Sequence, residues 1–68
     1  MNKPLRCGII GYGYMGEIRC RMVRLHPDTE LLIICETNPE KITEDYNIAV
    51  VKDPNEVLDS GVDAVFIC

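Results

Sequence analysis

Hydrophobic residues along the chain fall into four short runs that are separated by stretches of mixed polarity. Apolar residues dominate Leu5–Ile10 and residues 30–35, 48–51 and 64–68. The second run is continuously apolar over its last five positions, which is typical of a strand covered on both faces of a sheet. We therefore predict a β-strand at each of these four places.

The stretch between the first two runs has a helical pattern. Ile18, Met22 and Leu25 recur at the i, i+4 and i+7 spacing of an amphipathic helix, and Pro27 cannot continue it. The sequence thus predicts a helix over residues 17–26, with these three side chains on its apolar face.

Two further helices are predicted to begin at proline-containing caps. Asn38 and Pro39 have the residue types favoured at the N-cap and first position of a helix, which carries Tyr46 on its apolar face. Asp53 and Pro54 repeat this cap before the fourth strand. The resulting order is β-α-β-α-β-α-β. Such alternation predicts the α/β class, with a parallel sheet and right-handed crossovers.

A glycine-rich turn links the first strand to the first helix. Residues 11–16 have the pattern G-x-G-x-x-G between a strand and a helix, the context in which this motif binds the pyrophosphate of a dinucleotide. Gly11 permits the tight turn, Gly13 lets a pyrophosphate approach the backbone, and Gly16 lets the helix pack against the strand. The free N–H groups at the helix start would hold the anion. The candidate cofactor-binding residues of the turn are Gly11, Tyr12, Gly13, Tyr14, Met15 and Gly16.

Tyr12 and Tyr14, which lie between the glycines, have two possible interpretations. In the first, one of the two rings packs beside the cofactor. In the second, the rings face solvent or another subunit. Met15 is expected to contribute a backbone N–H and an apolar plug under the turn.

An acidic residue follows the second strand at the distance that a dinucleotide site requires. Glu36 lies about 20 residues beyond the last glycine of the turn, where a carboxylate accepts hydrogen bonds from the adenosine ribose hydroxyls. Such a carboxylate repels the 2′-phosphate of NADP, and no arginine stands at Thr37, Asn38 or Pro39 to receive it. The sequence favours NAD over NADP, with Glu36 and Thr37 as binding residues. An FAD site and a turn without a ligand are the alternatives, whereas a P-loop is excluded because its G-K-[ST] ending is missing.

Composition and charge narrow the class further. The 68 residues include 7 basic and 11 acidic side chains, a net charge of −4, which argues against binding nucleic acid or anionic lipid by bulk charge. No apolar run approaches the ~18 residues that span a bilayer, and the N-terminus lacks the pattern of a signal peptide. The cysteines form no C-x-x-C pair, so we interpret them as small apolar residues in a reducing cytoplasm.

Three other positions carry chemically versatile side chains. His26, the single histidine, ends the first helix far from the carboxyl ends of the strands, so we interpret it as a capping or solvated residue. Lys52 follows the third strand, where it contributes to an adenine site or to a surface loop. Cys68 follows the fourth strand, near the crevice where ligands bind in doubly wound sheets.

Three segments of the chain carry a family resemblance. Residues 7–16 (CGIIGYGYMG), 32–41 (LIICETNPEK) and 61–68 (GVDAVFIC) resemble the N-terminal part of the Gfo/Idh/MocA oxidoreductases, the family of glucose–fructose oxidoreductase and inositol dehydrogenase. The resemblance implies a partial doubly wound (Rossmann) parallel sheet with strand order 3-2-1-4. It also implies that the glycine turn holds the pyrophosphate and Glu36 the ribose. Family members oxidise a sugar or polyol hydroxyl with NAD(P), or reduce the corresponding carbonyl.

The same resemblance implies that residues 1–68 are the N-terminal portion of an NAD(P)-binding domain, truncated after the fourth strand. Family members continue with a Glu-Lys-Pro motif, whose lysine is the usual catalytic candidate, and with a C-terminal substrate domain. Neither Lys41 nor Lys52 matches that lysine, so no catalytic residue is expected here. A non-catalytic nucleotide-binding or sensor module and a structural pseudo-domain are the alternatives. The apolar edge of the fourth strand is expected to promote self-association or a homo-oligomer.

Overall fold

The computed structural model of the protein describes residues 3–42 and 47–68. Strands and helices alternate along them, because short apolar runs are separated by turns rich in glycine, proline and asparagine. The elements are β1 (Leu5–Ile10), α1 (Tyr14–Leu25), β2 (Thr29–Cys35), a 3₁₀ helix (Pro39–Lys41), β3 (Ala49–Val51), α2 (Pro54–Leu58) and β4 (Ala64–Ile67).

The four strands form one parallel sheet in the order β3-β2-β1-β4. This confirms the predicted α/β class and the partial doubly wound arrangement. β1 lies between β2 and β4, so both of its edges are paired and its residues Cys7 and Ile9 are fully buried. The central strand is therefore the one that leads directly into the glycine-rich turn.

The first helix differs from its prediction in both its start and its buried face. α1 begins at Tyr14, three residues earlier than predicted, and it buries Gly16, Cys20 and Val23. Met22 is half-exposed and Leu25 is 84% exposed, so the predicted apolar face is wrong. The physical reason is that the side of the helix that carries Gly16 lies closest to the sheet. A prediction based on the spacing of large apolar residues does not take a glycine into account.

The second predicted helix begins as a 3₁₀ helix, whereas the third begins where it was predicted. Among the described residues, the 3₁₀ helix Pro39–Lys41 follows Asn38, Ile42 after it is extended, and Tyr46 lies outside the described residues. Asp53 caps α2, because its side chain accepts a hydrogen bond of 2.9 Å from the Asn55 N–H.

The core lies on both faces of the sheet. On the α1 face it consists of Cys7, Ile9, Tyr12, Cys20, Val23, Leu31 and Ile34. On the α2 face it consists of Ile33, Cys35 and Val57. Cys7, Cys20 and Cys35 are thus buried apolar residues, as predicted, while Cys68 is exposed. Within residues 3–42 and 47–68, no helix is long and apolar enough to cross a membrane.

Candidate functional site

The loops that follow the strands meet at the carboxyl edge of the sheet. Ile10 pairs with Cys35 on one side and with Ile67 on the other, and Cys35 pairs with Val51, so the strand ends form one row. The residues beyond them border an open cleft of about 240 Å³. The cleft is lined by Ile10, Gly11, Cys35, Glu36, Thr37, Lys52 and Pro54.

Two glycines allow α1 to start directly beside this cleft. Gly11 has a φ of +91°, which favours glycine, and a Cβ atom there would lie 2.7 Å from the carbonyl oxygen of Cys68. A Cβ atom at Gly16 would collide with the carbonyl oxygen of Gly11. Any side chain at either position would push the helix away from β1 and β4, so the motif assigns these two glycines correctly as turn and packing residues.

The third glycine leaves open space at the start of α1. Gly13 is the N-cap residue and is exposed, and it has no side chain to cap the helix. Among the described residues, no atom beyond its chain neighbours lies within 4 Å of a Cβ atom placed there. The first turn of a helix presents N–H groups that lack intrahelical acceptors, together with the positive end of the helix dipole. This end of α1 therefore fits an approaching pyrophosphate.

Glu36 is held firmly at the end of β2. It is 7% exposed, and its Oε1 accepts a hydrogen bond of 2.9 Å from the Tyr12 N–H. Its Oε2 accepts bonds from the Asn38 N–H (3.0 Å) and the Thr37 hydroxyl (3.4 Å). The Asn38 and Tyr12 N–H groups, helped by the charge of Lys41, lower the pKa of Glu36 below its ordinary value in spite of burial. The side chain is therefore an ionised carboxylate that faces the cleft.

The two aromatic side chains of the turn differ: Tyr14 faces solvent, as one interpretation of the sequence holds, whereas Tyr12 fits neither interpretation. The Tyr12 ring is only 2% exposed and packs into the core on the α1 face, while Tyr14 is 80% exposed. Met15 is half-exposed, so the prediction of a plug under the turn is wrong for Met15. Tyr12 fills that place, because its position directly after Gly11 turns its side chain under the loop.

Lys52 also lies at this edge of the sheet, where one of its two interpretations from the sequence placed it. This residue lines the same cleft as Glu36 and Thr37, because it follows β3 and the hydrogen bond from the Glu36 N–H to the Val51 carbonyl (2.9 Å) aligns the two strand ends. The sequence feature that indicates this position is topological, because residues that directly follow parallel strands meet at the carboxyl edge of the sheet.

The remaining candidates lie apart from the cleft or at its rim. His26 caps the far end of α1, where its Nδ1 accepts a hydrogen bond of 3.1 Å from the Asp28 N–H, as its assignment to a cap predicts. Cys68 lies beside the glycine turn and donates its N–H to the Ile10 carbonyl at 2.9 Å. Across residues 3–42 and 47–68, no cluster of His, Cys, Asp or Glu side chains could hold a metal ion.

Comparison with known proteins places this geometry in a family. No curated protein matches the chain. A family model described as oxidoreductase family, NAD-binding Rossmann fold, matches residues 5–68, which include the glycine turn, Glu36 and all four strands. This match confirms the resemblance inferred from the three sequence segments. The chain therefore belongs to the Gfo/Idh/MocA oxidoreductase family, as part of its NAD-binding Rossmann domain.

Proposed function

We propose that this chain binds NAD in preference to NADP, with the pyrophosphate at the start of α1 and the adenosine ribose at Glu36. The observation that carries the proposal is the ionised Glu36 carboxylate, which is fixed 2.9 Å from the backbone of the glycine turn. The cofactor-binding residues are Gly11, Tyr12, Gly13, Tyr14, Met15, Gly16, Glu36 and Thr37. Most contacts of the turn with the cofactor would come from the peptide backbone, because the side chains of Tyr14 and Met15 are exposed.

The preference for NAD follows from the charge and hydrogen-bonding capacity of Glu36. A carboxylate offers about four lone-pair positions, and the donors of Tyr12, Asn38 and Thr37 leave room for a ribose hydroxyl. A 2′-phosphate would bring a second negative charge against a carboxylate that burial shields from water. Lys52 is the one cation among the described residues that line the cleft, and it is not paired with Glu36.

The test compares the two cofactors on the full-length protein by isothermal titration calorimetry. We expect NAD to bind more tightly than NADP by about tenfold or more, which corresponds to ~1.4 kcal/mol. Glu36→Ser should weaken NAD binding and abolish the discrimination. Glu40→Ser is the matched control, because Glu40 is exposed on the 3₁₀ helix and lies outside the cleft. Equal or tighter binding of NADP by the unmodified protein would overturn the preference.

We propose that the reaction is hydride transfer between NAD and a sugar- or polyol-like CH–OH group. Family membership supports an oxidoreductase, and the resemblance to sugar and polyol enzymes supports the substrate class. The nicotinamide supplies the hydride chemistry, and the residues of this chain bind and orient the adenosine half. Formation of NADH with a panel of polyols and sugars tests the proposal. Tight NAD binding without any turnover would instead favour a non-catalytic nucleotide-binding module.

We also propose that residues 1–68 form the N-terminal portion of the NAD-binding domain and that the catalytic lysine and substrate domain are supplied by other residues of the protein. Support comes from the family resemblance, and from the position of Lys52 beside the adenosine half of the proposed site. Mass spectrometry of the protein from its own gene tests this proposal, because a mass well above 7.7 kDa is expected.

The edge of β4 supports a proposal about assembly. β4 is the last strand in the order of the described sheet, and its Ile67 side chain is 81% exposed. We propose that, in residues 1–68 by themselves, this edge pairs with a second copy of the chain. Light scattering of residues 1–68 should therefore detect an oligomer that Ile67→Lys dissociates, whereas a monomer would contradict the proposal.

We also propose a cytoplasmic location. The three buried thiols support it, and fractionation of the cells tests it.

A further inference from the structure

The Glu36 carboxylate makes one hydrogen bond that a ribose-binding acid does not require. Two of its protein donors, on Thr37 and Asn38, belong to its own loop, but the third is the Tyr12 N–H, 24 residues away in the glycine turn. The bond is buried and 2.9 Å long. It joins the loop that would hold the ribose to the loop that would hold the pyrophosphate.

The backbone of the glycine turn also contacts the end of β2. Gly11 donates its N–H to the Cys35 carbonyl at 2.9 Å, a bond between backbones that does not depend on any side chain. One residue further on, Tyr12 is anchored through its buried ring on one side and through the Glu36 carboxylate on the other. The next residue, Gly13, is exposed and starts α1. Glu36 is thus a side-chain anchor directly before the N–H groups that would face the pyrophosphate.

From this geometry we infer that Glu36 is also a positioning residue, which holds the glycine turn in the conformation that accepts a pyrophosphate. The inference rests on the proposed function and extends it, because the same carboxylate then serves both halves of the dinucleotide. Loss of the carboxylate weakens the binding of any dinucleotide, including one whose adenosine ribose has no hydroxyl to offer.

Glu36→Gln separates the two roles with little change in shape. The Tyr12 and Asn38 N–H groups each need an acceptor, and glutamine offers one oxygen and one NH₂ group. One of the two backbone donors must therefore face the NH₂ group and lose its bond. The matched control is Glu40→Gln, which removes the same charge from an exposed position outside the cleft.

The decisive experiment measures the affinity of the full-length Glu36→Gln and Glu40→Gln variants for two ligands. The ligands are NAD and its analogue that lacks both hydroxyls of the adenosine ribose. We expect Glu36→Gln to weaken binding of the analogue by about tenfold, as the loss of one hydrogen bond to a charged group predicts. Unchanged affinity for the analogue in both Glu36→Gln and Glu36→Ser, whose shorter side chain cannot reach the Tyr12 N–H, would restrict Glu36 to the ribose and overturn the inference.

Hydrogen exchange on the ligand-free protein provides an independent readout. The amides of residues 11–13 should exchange faster in Glu36→Gln than in Glu40→Gln, while those of β4 remain unchanged. Equal protection of the turn in both variants would overturn the positioning role even if NAD binding were weakened. Failure of the unmodified protein to bind NAD would instead overturn the proposed function, and the exchange measurement would still decide whether Glu36 holds the turn.

Discussion

The two halves of the chain differ in the length of their secondary-structure elements and in how many side chains they bury. In the first half, β1, α1 and β2 have 6, 12 and 7 residues, and each contributes at least two fully buried or nearly buried side chains. In the second half, β3, α2 and β4 have only 3, 5 and 4 residues. Among these short elements, Val57 is the single buried residue.

This difference matches the position of the proposed cofactor site. The glycine turn and Glu36 both belong to the first half, where the backbone that would face a cofactor is anchored in the core. The second half contributes the rim, through the Val51 carbonyl that accepts the Glu36 N–H and through Cys68, whose N–H reaches Ile10. A site that depends on backbone N–H groups needs a rigid support, and the better-packed half provides it.

The largest expected effect is the loss of the close helix contact in the first half. Gly16→Ala places a methyl group against the Gly11 carbonyl, so we expect the free energy of unfolding to fall by about 3 kcal/mol. Gly61→Ala in the second half has open space around it and costs only about 1 kcal/mol, through its φ of +82°. Urea unfolding measures both. Equal losses would refute the difference between the halves.

A smaller effect is expected from the one buried side chain of α2. Val57→Ala removes two methyl groups from the contact with the sheet, which should lower the free energy of unfolding by about 2 kcal/mol. Leu58→Ala is the control, because Leu58 is exposed and should change stability by less than about 0.5 kcal/mol. Thermal unfolding followed by circular dichroism distinguishes them. Similar values for the two variants would mean that α2 is not held by Val57.

Gly13→Ala should separate binding from stability within the first half. The added methyl group meets no atom of the residues that the structure describes, so the cost to unfolding stays below about 1 kcal/mol. The same methyl group occupies the space proposed for the pyrophosphate, and NAD affinity should fall by about tenfold or more. Calorimetric titration with NAD beside urea unfolding checks both values. Unchanged NAD affinity would place the pyrophosphate elsewhere.

The pH dependence of stability should report on Glu36. Its pKa is lowered in the folded protein, so the folded state favours the ionised form. This contribution is present above the ordinary pKa of 4.5 and is lost as the pH falls through the folded value. The free energy of unfolding should therefore fall less steeply for Glu36→Gln than for the unmodified protein as the pH is lowered from 6. An equal fall in the two proteins would show that folding does not favour the ionised carboxylate.

The smallest effect is expected for the ion pair that joins β1 to the start of β4. Arg6 and Asp63 are both exposed, and their closest charged atoms are 3.3 Å apart. Asp63→Asn keeps an oxygen for the Arg6 N–H and removes only the charge, so the free energy of unfolding should hardly change. Asp63→Ala also loses that backbone bond and should cost more. If Asp63→Asn were as destabilising as Val57→Ala, surface charge would hold β4 in place.

Much of the fold and the framework of the site followed from local features of the sequence. The strands, the start of α2, the glycine turn and the acid after β2 were all predicted, because each depends on neighbouring residues and on turn chemistry. The buried face of α1 was mispredicted, because the spacing of large apolar residues was followed rather than the packing of Gly16 that the glycine motif itself implies. The type of the second helix was not predictable either, since the cap at Asn38 and Pro39 leads into the 3₁₀ helix Pro39–Lys41, after which Ile42 is extended.

By itself, then, the sequence determined the order of elements, the parallel sheet and the residues of the proposed dinucleotide site. Tertiary structure alone decided that the Tyr12 ring lies under the turn, that Lys52 borders the cleft, and that Glu36 holds the Tyr12 N–H. The physical reason is distance along the chain. Residues that are tens of positions apart meet only when the parallel strands align their carboxyl ends, and no local pattern encodes which atoms then come within hydrogen-bonding distance.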